Sequence, residues 1–190
     1  MQLHPDTSAL VLIDLQNGIV SMPLSPRSGA EVAEASKTVA ERFRAAGAPV
    51  VLVNVSYASD YADAPSAQVD NPTPRPAGGL PAVWSELVEG LAQPADLRIT
   101  KHQWGAFHGT ELDLQLRRRG IHTIVLAGIA TNFGVESTAR FAWEYGYQVV
   151  VLEDLCSSFS AELHKVSAEV ILPRISHVRQ SADISFTRTA

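Results

Sequence analysis

The chain has almost no cysteine. Cys156 is the only one in 190 residues, so no internal disulfide can form and paired-cysteine zinc sites are excluded. Long hydrophobic runs are absent as well: stretches such as 124–127 and 149–152 fall far short of the ~20 residues that cross a bilayer, so no membrane helix is expected. The residues before Ser8 carry neither the basic start nor the apolar stretch of a secretory leader, which makes a cytoplasmic location the expectation. Positive charge is in deficit. Fifteen Lys and Arg against twenty Asp and Glu give a net charge of −5, which leaves no basic footprint for nucleic acid. Charge of either sign is scarce, at 18% of residues against about 25% in an ordinary soluble domain. Such a surface anticipates burial between subunits, hence a homo-oligomer. Cofactor motifs are also missing: neither a GxGxxG nor a P-loop follows the first strand-like run, and there is no Gly-x-Ser-x-Gly elbow or His-Glu-x-x-His helix. No cofactor is expected.

What is present is 46% hydrophobic residues, enough for one dry core over residues 1–190 and thus a single domain. Short β-branched runs alternate with longer stretches of helical spacing, the pattern of repeated βα units around a parallel sheet covered on both faces. The strand-like runs are 9–13, 49–55, 97–100, 122–127, 148–152 and 175–178. Between them, 30–46 has a helical apolar stripe closed by Gly47, and 134–145 is stopped by Gly146. Thr110 and Asp113 suggest a capping-box-like helix start, and that helix ends at Arg117-Arg118-Arg119-Gly120, where three cations suit the negative end of the helix dipole. A last helix is expected over 161–172. Residues 64–81 break this rhythm with Pro65, Pro72, Pro74, Pro76 and Pro81 plus Gly78 and Gly79. Proline fixes φ and removes a donor, so this is a surface loop, either a lid or arm onto a neighbouring subunit or an excursion without a role.

In an open parallel sheet, ligands bind beyond the carboxyl ends of the strands, where strand order reverses. A carboxylate ending a wholly apolar strand and a lysine ending another are costly to bury without a purpose or partner, which singles out Asp14 and Lys101. By pattern alone they are either a functional pair or a turn cap and a solvated strand end. Thr131 follows the fourth run with no histidine base beside it in sequence and is expected to hydrogen-bond within its loop. Tyr57, Trp104 and Phe133 either wall a pocket or belong to the core, and His102 and His108 read as structural turn residues. Cys156 reads as a small buried hydrophobe.

Four runs carry a resemblance. Ala9-Leu-Val-Leu-Ile-Asp14-Leu-Gln-Asn-Gly18, Lys101 with Gly105-Ala-Phe-His108, Gly128-Ile-Ala-Thr131-Asn-Phe-Gly134-Val-Glu-Ser-Thr-Ala-Arg140, and Gly146-Tyr-Gln-Val-Val-Val-Leu-Glu-Asp154 resemble, in that order, the isochorismatase-like hydrolase superfamily. The resemblance spans nearly the whole chain. It implies a three-layer α/β/α, Rossmann-like fold with a six-stranded parallel sheet, commonly oligomeric. It also implies a site built from Asp14, Lys101 and the residue opening the helix after the fourth strand. In most members that residue is a nucleophilic cysteine; here it is Gly134, as in isochorismatases proper, whose vinyl-ether hydrolysis needs an acid and no thiol. Asp14 with Lys101 is then the expected general acid/base. Burial would let Asp14 hold a proton, whereas a dominant Lys101 would leave it an anion.

The family also bears a non-proline cis peptide, here Ile129–Ala130, so the resemblance implies that the backbone N–H groups of Ala130 and Gly134 face a small-molecule substrate; Thr131, Trp104, Phe133 and Tyr57, weighed above from the residues themselves, are the candidate side-chain contacts. Nicotinamidases of the family place histidines after the second strand to hold a metal. This chain reads Asn54-Val-Ser-Tyr-Ala-Ser-Asp60 there, and no metal is expected. Known isochorismatases carry a glutamine in that loop, where this chain offers Ser56 or Tyr57. The leading expectation is a hydrolase acting without a cysteine nucleophile; the alternative is a non-catalytic small-molecule binding or assembly protein that retains the fold.

Overall fold

The computed structural model describes residues 1–187. Its centre is a six-stranded parallel sheet of β1 (Ser8–Ile13), β2 (Val50–Val55), β3 (Leu97–Lys101), β4 (Thr123–Ile129), β5 (Gln148–Ser157) and β6 (His177–Arg179). The spatial order β3-β2-β1-β4-β5-β6 is that of a doubly wound Rossmann-like sheet, reversing between β1 and β4. Every residue of β1 and β4 is buried, which is why their sequences read as unbroken apolar runs rather than alternating ones. The architecture is α/β, three layers deep. The main helices are α1 (Gly29–Ala45), α2 (Leu112–Arg118), α3 (Glu136–Glu144) and α4 (Ala161–Val166). Gln2–Leu3 pairs in parallel with Ser185–Phe186, tying the two ends of the described chain together.

Local chemistry accounts for most of the boundaries. α1 starts with a full capping box: Ser28 Oγ accepts from the Glu31 N–H at 3.3 Å, and the Glu31 carboxylate accepts from the Ser28 N–H at 2.8 Å. Val32, Val39, Ala40 and Phe43 then turn one face of α1 onto the sheet. α2 departs from the expected start. Its N-cap is Glu111, whose side chain makes no cap; Thr110 Oγ1 accepts from the Leu112 N–H at 3.2 Å and donates to Ala106 O at 2.6 Å, but the box does not close, because Asp113 is engaged by Arg117 and by the Tyr147 hydroxyl and the Thr110 N–H donates to Phe107 O. The expected helix over 134–145 is preceded by a π-turn, Thr131–Val135, and α4 continues through a second one, Ser167–Ile171.

The largest difference lies in the fifth strand, which continues to Ser157 instead of ending at 152. Leu126 pairs with Val151 but Gly128 pairs with Cys156, so two steps along β4 are matched by five along β5. The three surplus residues form a bulge, whose carbonyls at Glu153 and Cys156 accept from Arg27 Nη1, each at 3.1 Å. Gly128, opposite the bulge, has φ +122°, and a Cβ there would lie 2.1 Å from Ile13 O. Only glycine lets β1 and β4 approach this closely. Residues 64–81 contain neither helix nor strand and are largely exposed; Arg75 bonds to Pro65 O and lies over the Tyr61 ring, 5.6 Å from its centroid.

Candidate functional site

Three strand ends meet where the sheet order reverses. Asp14 follows the last residue of β1, Lys101 ends β3, and the turn after β4 carries Ala130–Gly134. Asp14 has φ +54°, a left-handed conformation tolerated by Asp, and its N–H donates to Val53 O at 2.9 Å. This kink turns the carboxylate towards the end of β3. Lys101 Nζ donates to Asp14 Oδ2 at 2.8 Å, to Gln103 O at 3.0 Å and to Trp104 O at 2.8 Å. An ammonium has three donors, so all are taken. Lys101 is 1% exposed and Asp14 6%, which makes this a buried ion pair and not a solvated strand end.

The pair is asymmetric. Asp14 Oδ1 is buried and has no hydrogen-bond partner among the described residues. Burial pushes the Asp14 carboxyl up from 3.8 to about 6, outweighing the charge and hydrogen bond of Lys101, which act in the opposite direction. Such a carboxyl exchanges its proton close to neutrality and has one oxygen free to do so.

Gly134 stands directly beside it. A Cβ at this position would lie 3.2 Å from Asp14 Oδ2, 3.5 Å from Trp104 O and 2.9 Å from Ile13 Cγ2. The Ile129–Ala130 peptide is cis, and the Ala130 carbonyl accepts from the N–H groups of Phe133 and Val135 as the chain turns into α3. Trp104, 58% exposed, packs edge-on against Phe133 with ring centroids 4.7 Å apart. Phe159, which the sequence reading passed over, extends this aromatic surface 5.7 Å from Phe133. Tyr57 is half-buried, and its hydroxyl is held above the usual phenol range by burial and then by the charge of Asp14.

Not every residue read from the sequence turns towards Asp14. The Thr131 hydroxyl does not bond within its own loop: it donates to Ser157 O at 3.0 Å and lies 2.8 Å from His164 Nδ1. His102 Nδ1 donates to Ser56 O at 2.6 Å and lies 3.2 Å from Asp63, holding the loop after β2, while His108 is exposed. Cys156 is buried with its thiol pushed up to about 12, first by burial, and Sγ donates to Leu152 O. It is packed within the bulge of β5 rather than beside Asp14.

Buried Gln16 bridges β1 to β2 by pairing with both the N–H and the carbonyl of Val55. A cluster of Arg27, Glu153 and His164 lies behind the Thr131 loop. The signal for Glu153 was the acidic break in the run 148–157; His164 had none. Two open clefts, of about 380 and 490 Å³, flank Arg98 on the edge strand β3 and include neither Asp14 nor Lys101. Chemistry rather than volume marks the site: the ionisable residues lining those clefts, Glu86, Glu89, Arg98 and Glu111, are exposed, whereas Asp14 and Lys101 are buried. Among the described residues, no three His, Cys, Asp or Glu side chains converge as a metal site, and no helix is long and apolar enough to cross a membrane.

Comparison with known proteins places this geometry in context. Residues 8–183 match the isochorismatase domain model. The chain is 50% identical over 185 residues to an uncharacterized isochorismatase family protein, YecD, of Escherichia coli O157:H7, covering 97% of each. It is 34% identical over 176 residues to the ureidoacrylate amidohydrolase RutB of Variovorax paradoxus, covering 81% of this chain and 70% of that one. An isochorismatase family protein from Burkholderia thailandensis has the same fold, with a TM-score of 0.90 and 48% identity over 96% of this chain and 95% of that one. With residues 8–183 matched by the domain model, half of its residues identical to those of a relative over 97% of both chains, and its fold shared with a solved member, the chain belongs to the isochorismatase family.

Proposed function

We propose that this protein is a small-molecule hydrolase of the isochorismatase family that works without a cysteine nucleophile, with Asp14 as general acid/base and Lys101 holding it in place. The observation that carries this reading is the buried, unpartnered Asp14 Oδ1 on a carboxyl raised to about 6, beside a glycine where a side chain would reach that carboxylate. Cys156, buried in its bulge, supplies no nucleophile to the site. Gly134, at the position where the resemblance puts a nucleophilic cysteine in most members, supports a mechanism without a thiol.

In this mechanism the acid form of Asp14 transfers its proton to the substrate. For a vinyl ether, the enol π pair forms the new C–H bond, water adds to the resulting oxocarbenium ion, and the hemiketal expels its alcohol while a proton returns to Asp14. Lys101, with all its donors committed, fixes the carboxylate and opposes its charge. Backbone N–H groups of Ala130 and Gly134 hold a substrate oxygen, and Thr131 supports that turn from behind. Trp104, Phe133 and Tyr57 form the apolar wall. The kinship with an amidohydrolase supports carbonyl-bearing substrates as a second group to screen. Exposed Leu163, Val166 and Val170 along α4 and its continuation support self-association.

The test is turnover of isochorismate, other vinyl ethers and a panel of amides by the purified protein, with Asp14→Asn and Lys101→Ala alongside. Asp14→Asn is expected to lose about 100-fold or more in kcat/KM, and the wild-type kcat/KM to fall as the pH rises through about 6, where the acid form is lost. Turnover surviving both substitutions removes the site. Tight metabolite binding without turnover favours the non-catalytic binding protein.

A further inference from the structure

Behind the Ala130–Gly134 turn lies a chain of hydrogen bonds that involves neither Asp14 nor Lys101. Thr131 Oγ1 is 3.0 Å from Ser157 O and 2.8 Å from His164 Nδ1; His164 Nε2 is 2.7 Å from Glu153 Oε1. Glu153 is held by Arg27 through both oxygens, at 3.0 and 3.2 Å, and by Gln180 Nε2 at 3.0 Å. Hydrogen bonds from Arg27, Gln180 and His164 outweigh the cost of burial and hold the Glu153 carboxyl down at about 2. Thr131 and His164 are both buried.

Counting protons along this chain leaves one consistent assignment. Glu153 is a carboxylate and accepts only, so Nε2 carries a hydrogen. Ser157 O also accepts only, so the single hydroxyl proton of Thr131 must serve it. The 2.8 Å contact then needs a hydrogen on Nδ1. A neutral ring would leave either the Ser157 or the His164 contact with two acceptors facing each other at hydrogen-bond distance. The charged groups facing His164 are Glu153 of β5 and Arg27 of the segment before α1, with Glu136 of α3 reaching the continuation of α4 through Ser167 Oγ at 2.7 Å. Glu136 is itself paired with Arg140 at 2.8 Å, so Glu153 is the carboxylate that directly faces both Arg27 and His164.

We infer that His164 is a positioning residue: as an imidazolium donating to Thr131 and Glu153, it locks the turn 130–134, and loss of its proton releases that turn. Its bearing on activity rests on reading the turn as the substrate-oxygen site; the lock itself does not. Through Thr131 the imidazolium sets where the backbone N–H groups point. Deprotonation frees Nδ1 to compete with Ser157 O for the one hydroxyl hydrogen, and the turn loses an anchor to β5 or to α4.

The experiment is a pH series of NMR spectra on the intact ¹⁵N-labelled protein, following the ring nitrogens of His164 and the backbone amides of residues 130–135. In the wild type, both ring nitrogens carry hydrogen at the acid end, and the turn amides shift with the same midpoint as the ring. Glu153→Gln removes the facing carboxylate and moves both midpoints together to lower pH. Amides of β1 remain still. A neutral ring with a bare Nδ1 at the acid end overturns the inference, and so does a ring that titrates while the turn amides stay fixed. Because no substrate is used, these results are independent of whether Asp14 proves catalytic.

Discussion

Replacing Asp14 by Asn isolates how burial and Lys101 compete over one carboxyl. In the folded protein the Asp14 carboxyl is raised from 3.8 to about 6. Below 3.8 the group is protonated in both the folded and the unfolded state, and above 6 it is ionised in both. Between these limits the folded state binds more protons, so stability falls as pH rises across this window. A shift of about two units corresponds to about 3 kcal/mol over the whole window, of which about 2 kcal/mol is lost between pH 4.5 and 7.5.

Asparagine keeps the shape and an acceptor for Lys101 Nζ but cannot titrate. Subtracting the unfolding free energy of Asp14→Asn from that of the wild type at each pH therefore cancels the other carboxylates and leaves this one. Urea denaturation of both proteins from pH 4.5 to 7.5 gives that difference, which is expected to fall by about 2 kcal/mol, equivalent to several degrees of melting temperature in a protein of this size. A difference that is flat, or that rises with pH, means that Lys101 holds the carboxyl at or below its ordinary value. That result would refute the assignment of Asp14 as an acid near neutrality.

Other consequences follow from the packing. Gly128→Ala drives a Cβ to 2.1 Å from Ile13 O in a backbone conformation with φ +122°, so a loss of more than about 4 kcal/mol, or no soluble protein, is expected; near-native urea stability would contradict the close approach of β1 and β4. Cys156, buried and with its thiol pushed up to about 12, is expected to resist iodoacetamide in the native state and to react once unfolded in urea; rapid native labelling read by mass spectrometry would contradict its place in the bulge. Light scattering on the purified protein tests self-association, and a monomer at micromolar concentration would count against it.

Much of the architecture could be read from the chain because parallel strands buried on both faces have no choice but to be apolar throughout. Residues 8–13 and 123–129 admit few alternatives, and the glycines after α1, α2 and α3 mark where each helix stops. Asp14 stood out for the same reason, as a charge terminating a run too apolar to face water, whereas Lys101 ends an alternating edge strand in which Arg98 and Thr100 are exposed. The start of α2 was misjudged because Asp113 pairs forward with Arg117, one turn along the helix, and with the Tyr147 hydroxyl, a tertiary partner that a local capping pattern cannot anticipate. The extension of β5 past residue 152 was hidden because its bulge depends on Arg27, more than a hundred residues earlier, to satisfy the displaced carbonyls.

Sequence alone determined the alternation of strand and helix and the position of an acid and a base at strand ends, since periodicity and the cost of stranded charge are local properties of the chain. Tertiary structure decided the rest. Whether Asp14 is an acid or an anion depends on how completely the surrounding chain excludes water from it, and whether Thr131 turns to its own loop or to His164 depends on where α4 docks. Solvation and long-range hydrogen bonding are set by groups distant in sequence, and they exist only once the sheet has brought those groups together.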